Sequence, residues 1–185
     1  MKITPTKLPG LLVIEPQVFH DSRGFFYESF YASRYEELGL TKPFVQDNLS
    51  RSKKSTLRGL HYQLQRPQAK LVSVIRGRVF DVAVDVRQGS PTFGQWFGIE
   101  LSDANHLQLF IPEGFAHGFA VLSDEVDFFY KCSDYYHPAS EQGVLWNDPD
   151  IGINWDIEQP ILSKKDEVYP VLKDKLSTDL PIFRG

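Results

Sequence analysis

Histidine, arginine and lysine side chains are concentrated in one stretch of the chain, STLRGLHYQLQRPQAKLVSVIRGRV. From Arg51 to Arg78 there are eight Lys and Arg residues and no Asp or Glu, although the whole protein has a net charge of −4. In strand-forming sequence, Arg58, His61 and Lys70 could converge on the interior of a barrel, where unpaired cations are costly. A bound anion would remove that cost, and phosphate suits the forked donors of arginine. The alternative interpretation is a basic face that is simply solvated.

His61 is the candidate proton acceptor in this stretch. Nearby cations favour the neutral imidazole, which is the form that accepts a proton. Gly59, two residues earlier, permits a close backbone approach. Because a lone histidine is more often structural, the residues alone leave both interpretations open.

A second histidine, His117, lies in IPEGFAHGF. The pattern Pro-x-Gly-x-x-His resembles the second motif of cupins, in which the histidine is a metal ligand. The first cupin motif needs His-x-His, but the corresponding place reads His61-Tyr62-Gln63. Two histidines without a third anionic ligand make a poor transition-metal site. The motif therefore indicates the fold and predicts no metal.

Three further residues are candidates only through their chemistry. Tyr130, in FFYKCSDYY, is by default a packed aromatic whose hydroxyl needs a partner if buried. Asp166, in LSKKDEVYP, is by default a surface acid. Cys132 is the one cysteine, which excludes an intrachain disulfide framework and favours a small core residue in a reducing compartment.

The elements that must position these residues are mostly strands. In VFDVAVDV, Phe80 and the three valines share one face, and the two aspartates share the other with Ala83. Further short strand patterns are separated by turn signals such as QGSPTFG, SDAN and PEG, which predicts an antiparallel sandwich or barrel. Helix is scarce, with one short helix predicted over ASRYEELGL. Since no linker divides residues 1–185, we predict a single domain.

Charge and hydropathy exclude several classes of protein. The net charge of −4 argues against a general nucleic-acid or membrane surface. The N-terminal stretch MKITPTKLPGLLVIEP has no apolar segment typical of a signal peptide, and no run approaches the length of a membrane span. We therefore expect a cytoplasmic protein with no nucleic-acid or membrane partner.

Seven motifs, taken in order, resemble one known family. They are DSRGFFYESF, FVQDNLSRSKKSTLRGLHYQ, PQAKLVSVIRGRVFDVAVDVR, GSPTFGQW, IPEGFAHGFAVLSD, YKCSDYYHPASEQGVLWNDPDIGINW and LSKKD. Together they are similar to the dTDP-4-dehydrorhamnose 3,5-epimerases over nearly the whole chain. The resemblance implies an all-β, cupin-like jelly-roll with a few short helices, a homodimer, no metal or organic cofactor, and a dTDP-activated 4-keto-6-deoxyhexose as substrate.

The resemblance also implies a role for individual residues. His61 would be the base with Asp166 as its partner, Tyr130 the acid, and Lys70 the cation that stabilises an enolate. Arg23 and Glu28 lie on an N-terminal segment that serves the neighbouring subunit's site in the family. Matches to substrate or nucleotide contacts are Arg23, Glu28, Gln46, Asp47, Asn48, Arg58, His117, Glu141 and Lys165.

Three alternatives remain open at this level. A related epimerase that inverts only C3 or only C5 would need the same base and acid. A metal-dependent cupin would hold iron, zinc or manganese, against which the missing His-x-His counts. A non-catalytic sugar-nucleotide binding module would keep the arginines but would not need His61, Tyr130 and Asp166 together.

Overall fold

The computed structural model describes residues 1–37 and 39–184. Fourteen regular elements lead through the chain. They are β1 (Lys2–Pro5), β2 (Leu12–Glu15), β3 (Phe19–Asp21), β4 (Gly24–Phe26), α1 (Ala32–Glu36), β5 (Gln46–Lys53), β6 (Leu57–Gln63), β7 (Lys70–Arg76), β8 (Arg78–Asp85), β9 (Trp96–Ser102), β10 (Gln108–Ile111), β11 (Phe115–Val121), β12 (Glu125–Cys132) and β13 (Glu141–Gly143). Short 3-10 turns follow at Pro138–Ser140, Leu172–Asp174 and Ser177–Asp179.

Two antiparallel sheets face each other. The six-stranded sheet has the order β1-β2-β10-β7-β12-β5, and the five-stranded sheet has the order β13-β6-β11-β8-β9. A separate hairpin, β3–β4, stands apart from both. Strands that are neighbours in a sheet are distant in sequence, as in a jelly-roll, so the predicted all-β jelly-roll is confirmed.

The main core lies between the two sheets. Phe119 of β11 stacks on Phe128 of β12 with ring centroids 4.1 Å apart, and both are buried. Burying such a side chain contributes about 1.5–3 kcal/mol, so this pair is a strong link between the sheets. Val79 and Ala83 of β8 belong to the same core. They alternate with the two aspartates of β8, which therefore also point between the sheets.

The outer face of the five-stranded sheet is covered by the C-terminal part of the chain. Val82 and Val84, on the apolar face of β8, pack with Trp155, Leu172 and Leu180. Because this segment lies against the sheet, it brings residues 161–166 to the edge where β6 begins. Ile161 bridges to Thr56 just before that strand.

The outer face of the six-stranded sheet is partly covered by α1. Tyr35 of this helix is buried with Ile14 and Leu71, and its hydroxyl donates a 2.6 Å hydrogen bond to Gln108. The helix predicted over ASRYEELGL is thus confirmed for Ala32–Glu36, while Leu38 of that stretch lies outside the described residues. Within the described residues, no helix is long and apolar enough to cross a membrane.

Candidate active site

Two adjoining cavities open between the sheets. The larger cavity has a volume of about 690 Å³ and is bounded by β5, β6, β11, β12 and residues 161–166. The smaller cavity, of about 290 Å³, lies toward β13. His61, Lys70 and Tyr130 line both cavities and therefore mark their junction. Together the two volumes suit an elongated ligand of the size that protein pockets usually hold.

A bulge in β6 places Arg58 and His61 on the same side of the sheet. His61 pairs with His117 and Arg58 pairs with Phe119, so β6 has one residue more than β11 between these pairs. In a regular strand, side chains three apart point to opposite faces, and the extra residue corrects this. Both side chains consequently line the larger cavity.

Glycine at position 59 is required by this bulge. Gly59 has φ +123°, a conformation that favours glycine. A Cβ built there would lie 2.5 Å from Cα of Gly118 and 2.7 Å from the carbonyl oxygen of His117. Gly118 is equally tight, with a built Cβ 2.7 Å from the carbonyl oxygen of Arg58. The pair of glycines lets β6 and β11 approach closely behind the two cavity-lining side chains.

His61 and Asp166 form a short hydrogen bond at the junction. His61 Nε2 lies 2.5 Å from Asp166 Oδ1, and Asp166 is only 2% exposed. Ser163 donates a further hydrogen bond of 2.8 Å to Asp166 Oδ2. Burial alone would raise the pKa of Asp166, but the bonds from His61 and Ser163 outweigh it, so this pKa lies below its usual value.

The ionised Asp166 determines which nitrogen of His61 is basic. A carboxylate only accepts hydrogen bonds, so the neutral imidazole carries its proton on Nε2. The unprotonated nitrogen is then Nδ1, which has no hydrogen-bond partner among the described residues. The arrangement therefore supplies an oriented base at the junction of the cavities.

Lys70, the first residue of β7, supplies a cation to both cavities. Its ammonium has neither a hydrogen bond nor a carboxylate partner among residues 1–37 and 39–184. Burial lowers the pKa of Lys70, an effect that the more distant Cys132, Asp81 and Glu141 oppose. An anion in the cavity would stabilise the charged ammonium and be stabilised by it.

Tyr130 reaches the same junction from the opposite sheet, on β12. It pairs with Asn48 of β5 and with Val72 of β7. Burial raises the pKa of Tyr130, while the positive charge of Arg58 opposes that rise. The phenol therefore keeps its proton near neutral pH and is available as a proton donor.

Polar side chains fill the wall of the smaller cavity. Gln46 donates a 3.0 Å hydrogen bond to Asn48 and accepts one of 2.9 Å from the backbone of Tyr136. Lys165 donates to both oxygens of Glu141, at 2.8 and 2.9 Å, and the Tyr136 hydroxyl donates at 3.0 Å. Burial opposes ionisation of Glu141, but these contacts together lower its pKa. The wall offers amides, a hydroxyl and an ion pair to a polar ligand.

The family assignment rests on these features and on three comparisons. A family model described as dTDP-4-dehydrorhamnose 3,5-epimerase matches residues 5–174. The chain belongs to the dTDP-4-dehydrorhamnose 3,5-epimerase family. The resemblance inferred from the seven motifs is thereby confirmed.

Relatives of known activity or structure cover nearly the whole chain. The dTDP-4-dehydrorhamnose 3,5-epimerase of Salmonella typhimurium is 53% identical over 182 residues, which cover 97% of this chain and 100% of that protein. The crystal structure of dTDP-6-deoxy-D-glucose-3,5-epimerase from Legionella pneumophila, in complex with dTDP-4-keto-L-rhamnose, is 56% identical with a TM-score of 0.97; the match covers 100% of this chain and 99% of that chain. A dTDP-4-dehydrorhamnose 3-epimerase of Streptomyces niveus is 40% identical over 90% of this chain and 82% of that protein.

Most site residues predicted from the family motifs lie around the two cavities. The larger cavity is lined by Arg58, His61, Lys70, His117, Tyr130, Lys165 and Asp166. The smaller cavity adds Gln46, Asn48 and Glu141. Their placement agrees with the predicted site, and the individual roles stay predictions.

Three predicted contacts lie away from the cavities of this chain. Asp47 points to the outer face of β5 and pairs with Lys131 at 2.8 Å. Arg23 lies on the exposed β3–β4 hairpin and is bonded to Asp21. Glu28 is paired with Arg34. Their roles in binding substrate therefore remain predictions, and for Arg23 and Glu28 the family motif already points to a neighbouring subunit.

Asp81 was not among the predicted site residues. Its carboxylate is fully buried and lies 2.9 and 3.1 Å from Nε2 of His117. Burial lowers the pKa of His117 although Asp81 opposes this, so the imidazole is neutral and donates Nε2–H to the carboxylate. The alternation in VFDVAVDV placed Asp81 on a face of its own, and a carboxylate on a buried strand face was the signal for a partner.

The two histidines that resemble cupin ligands are each bound by a carboxylate instead. His61 is held by Asp166, and His117 is held by Asp81. Among the described residues, no group of three or more His, Cys, Asp or Glu side chains is arranged to hold a metal ion. The prediction of a metal-independent reaction stays a prediction.

Proposed function

We propose that the protein inverts C3 and C5 of dTDP-4-dehydro-6-deoxy-D-glucose to give dTDP-4-dehydro-L-rhamnose, without metal or organic cofactor. The observation that carries this proposal is the 2.5 Å contact between His61 and a buried Asp166 at a cavity junction that Lys70 and Tyr130 also line. Relatives that are 3,5-epimerases, at 53% and 56% identity, support the same reaction.

Proton removal is the first step. The C4 ketone acidifies the protons on both C3 and C5, so a single base serves both carbons if the sugar ring shifts slightly. Nδ1 of His61 takes the proton, and the imidazolium that results is stabilised by Asp166. Because Asp166 is buried and ionised, its charge acts through little solvent and is effective at this short distance.

Removal of the proton places negative charge on the C4 oxygen. Lys70 is suited to stabilise that oxygen, since its ammonium faces the junction without a protein partner among the described residues. A positioned donor of this kind is worth several kcal/mol at the transition state. No electron sink is needed, because the substrate's own carbonyl delocalises the charge.

Reprotonation from the opposite face completes the inversion. Tyr130 lies on the six-stranded sheet, whereas His61 lies on the five-stranded sheet, so the two side chains approach the junction from opposite walls. The raised pKa of Tyr130 keeps its proton on the oxygen until the enolate demands it.

The pyrophosphate and nucleoside occupy the remaining cavity space. Arg58 donates Nε–H to Ser52 at 3.1 Å and has no carboxylate partner among the residues that the structure describes. Its free guanidinium nitrogens are therefore available to a phosphate. Gln46, Asn48 and the Lys165–Glu141 pair supply polar contacts in the smaller cavity.

We also propose that the protein is a cytoplasmic homodimer whose β3–β4 hairpin contributes to the neighbouring site. Phe19, Phe25 and Phe26 of this hairpin are 55%, 58% and 65% exposed, which is unusual for three neighbouring aromatics. Arg23 and Glu28 belong to the same region and reach no cavity of their own chain. Light scattering at micromolar concentration tests the dimer, and a fully active monomer contradicts it.

Incubation with dTDP-4-keto-6-deoxyglucose in D₂O, followed by NMR, tests the reaction. We expect deuterium at both C3 and C5 of an inverted product, and no exchange at either carbon with His61→Ala. Deuterium and inversion at one carbon alone would identify a C3-only or C5-only epimerase, such as the less similar Streptomyces niveus relative. Binding without any exchange would identify a non-catalytic binding module.

A further inference from the structure

Tyr169 contacts the base without belonging to the residues assigned to catalysis or binding. It follows Asp166 by three positions, and its ring meets the His61 imidazole edge-on. The ring centroids are 5.7 Å apart and the planes cross at 66°. This T-shaped arrangement is a favourable geometry for two aromatic rings and restricts rotation of the imidazole.

Gly143 leaves the space that the Tyr169 ring occupies. It lies on β13 directly opposite His61 on β6. A Cβ built at Gly143 would lie 2.4–2.5 Å from three carbons of the Tyr169 ring. The ring is therefore seated on the backbone of β13 and against the imidazole of the next strand.

The segment that carries Asp166 has few other attachments. Residues 163, 164, 165, 167 and 168 are exposed, and Val168, its other apolar side chain, is 77% exposed. The hydrogen bonds of Ser163 stay within the turn. Beyond the His61–Asp166 bond itself and the Lys165–Glu141 pair, the Tyr169 ring is the contact that holds this turn against β6 and β13.

We propose that Tyr169 is a positioning residue: its ring, seated over Gly143, sets the plane of the His61 imidazole and holds the Asp166 turn at hydrogen-bonding distance. The inference rests on the proposed function in which His61 is the base. It assigns no proton transfer to Tyr169. Its hydroxyl has no hydrogen-bond partner among the described residues, so the ring alone carries the effect.

A double-mutant cycle between positions 143 and 169 tests this inference. Tyr169→Ala is expected to lower kcat by about 10–100-fold with KM within about threefold, because small misplacements of a catalytic group have effects of this size. Gly143→Ala is expected to do the same by displacing the ring. Combined, the two changes are expected to be no worse than Tyr169→Ala alone, since the ring that collides with the new methyl group is absent.

Two matched variants serve as controls. Tyr169→Phe keeps the ring and is expected to retain kcat within about threefold, and Val168→Ala alters the same turn at an exposed position. If Tyr169→Ala does not fold, as judged by loss of cooperative thermal unfolding, Tyr169→Leu replaces it with an apolar but non-planar side chain and the same expected loss.

A spectroscopic measurement separates this inference from the proposed function. The proton shared by His61 and Asp166 should give a strongly downfield N–H resonance in the wild-type protein and in Tyr169→Phe. It should broaden or disappear in Tyr169→Ala and in Gly143→Ala. Retention of this resonance with wild-type kcat in Tyr169→Ala, or a full Gly143→Ala loss in the Tyr169→Ala background, would overturn the inference. A wild-type protein without epimerase activity contradicts the proposed function instead, and the resonance still tests the role of Tyr169.

Discussion

Replacing Asp166 by asparagine isolates the effect of its charge on the base. In the wild type, the carboxylate accepts the Nε2 proton of His61 over 2.5 Å and a hydroxyl hydrogen bond from Ser163 over 2.8 Å. In Asp166→Asn, Ser163 is expected to keep donating to the side-chain oxygen, which turns the amide NH₂ toward His61. An amide NH₂ only donates, so the imidazole proton moves to Nδ1, the nitrogen that must accept the substrate proton.

The expected loss of activity follows from this change of tautomer. The corresponding asparagine substitution in serine proteases lowers kcat about 10⁴-fold, and the loss of the stabilising charge acts in the same direction. We therefore expect kcat to fall by about 10²–10⁴-fold, which corresponds to about 3–5 kcal/mol at the transition state. KM should change little, because Asp166 contacts His61 and Ser163 rather than the open cavity centre.

Initial rates of substrate inversion, measured across a range of pH, provide the assay. Asp150→Asn, at an exposed aspartate paired with Lys173, is the matched control and should behave as wild type. Ser163→Ala, which keeps the carboxylate, should cost no more than about tenfold. If Asp166→Asn retains kcat within about threefold of wild type, the His61–Asp166 pair is not the operating base.

The same variant has a signature in acid stability. The pKa of Asp166 is lowered in the folded protein, so its ionisation stabilises the fold above the unfolded value of about 3.9. That contribution is lost as the pH falls through the folded pKa. The unfolding temperature of wild type relative to Asp166→Asn should therefore decline below about pH 4 and stay constant between pH 6 and 8.

Four further predictions address the remaining parts of the site. Tyr130→Phe should retain solvent exchange at C3, C5 or both while inversion falls about 10²–10⁴-fold, and NMR in D₂O would refute the opposite-face acid if both fall together as in His61→Ala. Lys70→Met should lower kcat about 10²–10³-fold, with the exposed Lys53→Met as control, and an unchanged kcat contradicts the oxyanion role. Gly59→Ala should destabilise the fold by about 3 kcal/mol or more in urea unfolding, well beyond Gly89→Ala, which has a similar backbone but open space around it. Dialysis against EDTA should leave turnover unchanged, and loss of turnover that one metal restores would instead identify a metal-dependent enzyme.

The period-two patterns predicted the strands well but left their inward face undetermined. Both faces of β8 are buried, one between the sheets and the other beneath the C-terminal segment. Hydropathy alone would place the valines of VFDVAVDV in the central core, whereas Asp81 points there and is satisfied by His117. A buried carboxylate with a distant partner is a tertiary feature that no local pattern contains.

The convergence of Arg58 and His61 depended on a feature that strand periodicity does not predict. Residues three apart point to opposite faces unless the strand is bulged, and Gly59 was the only hint of the bulge. Asp166 was less accessible still to residue-level reasoning, since it lies on a turn without regular structure. The family motifs supplied it because they record the outcome of the fold rather than its local causes.

The hydrogen bond from His61 to Asp166 joins residues 105 positions apart, which has a consequence during synthesis. At about 5–20 residues per second, a ribosome needs roughly 5–20 s to make the intervening chain. Throughout that interval, the nascent protein contains the base but not the carboxylate that orients it. The apolar face of β8 also remains uncovered, because Trp155, Leu172 and Leu180 have not yet been made. Catalytic competence and solubility therefore arrive together, near the end of translation, and a ribosome stalled before residue 166 holds a chain that is inactive and prone to capture by chaperones.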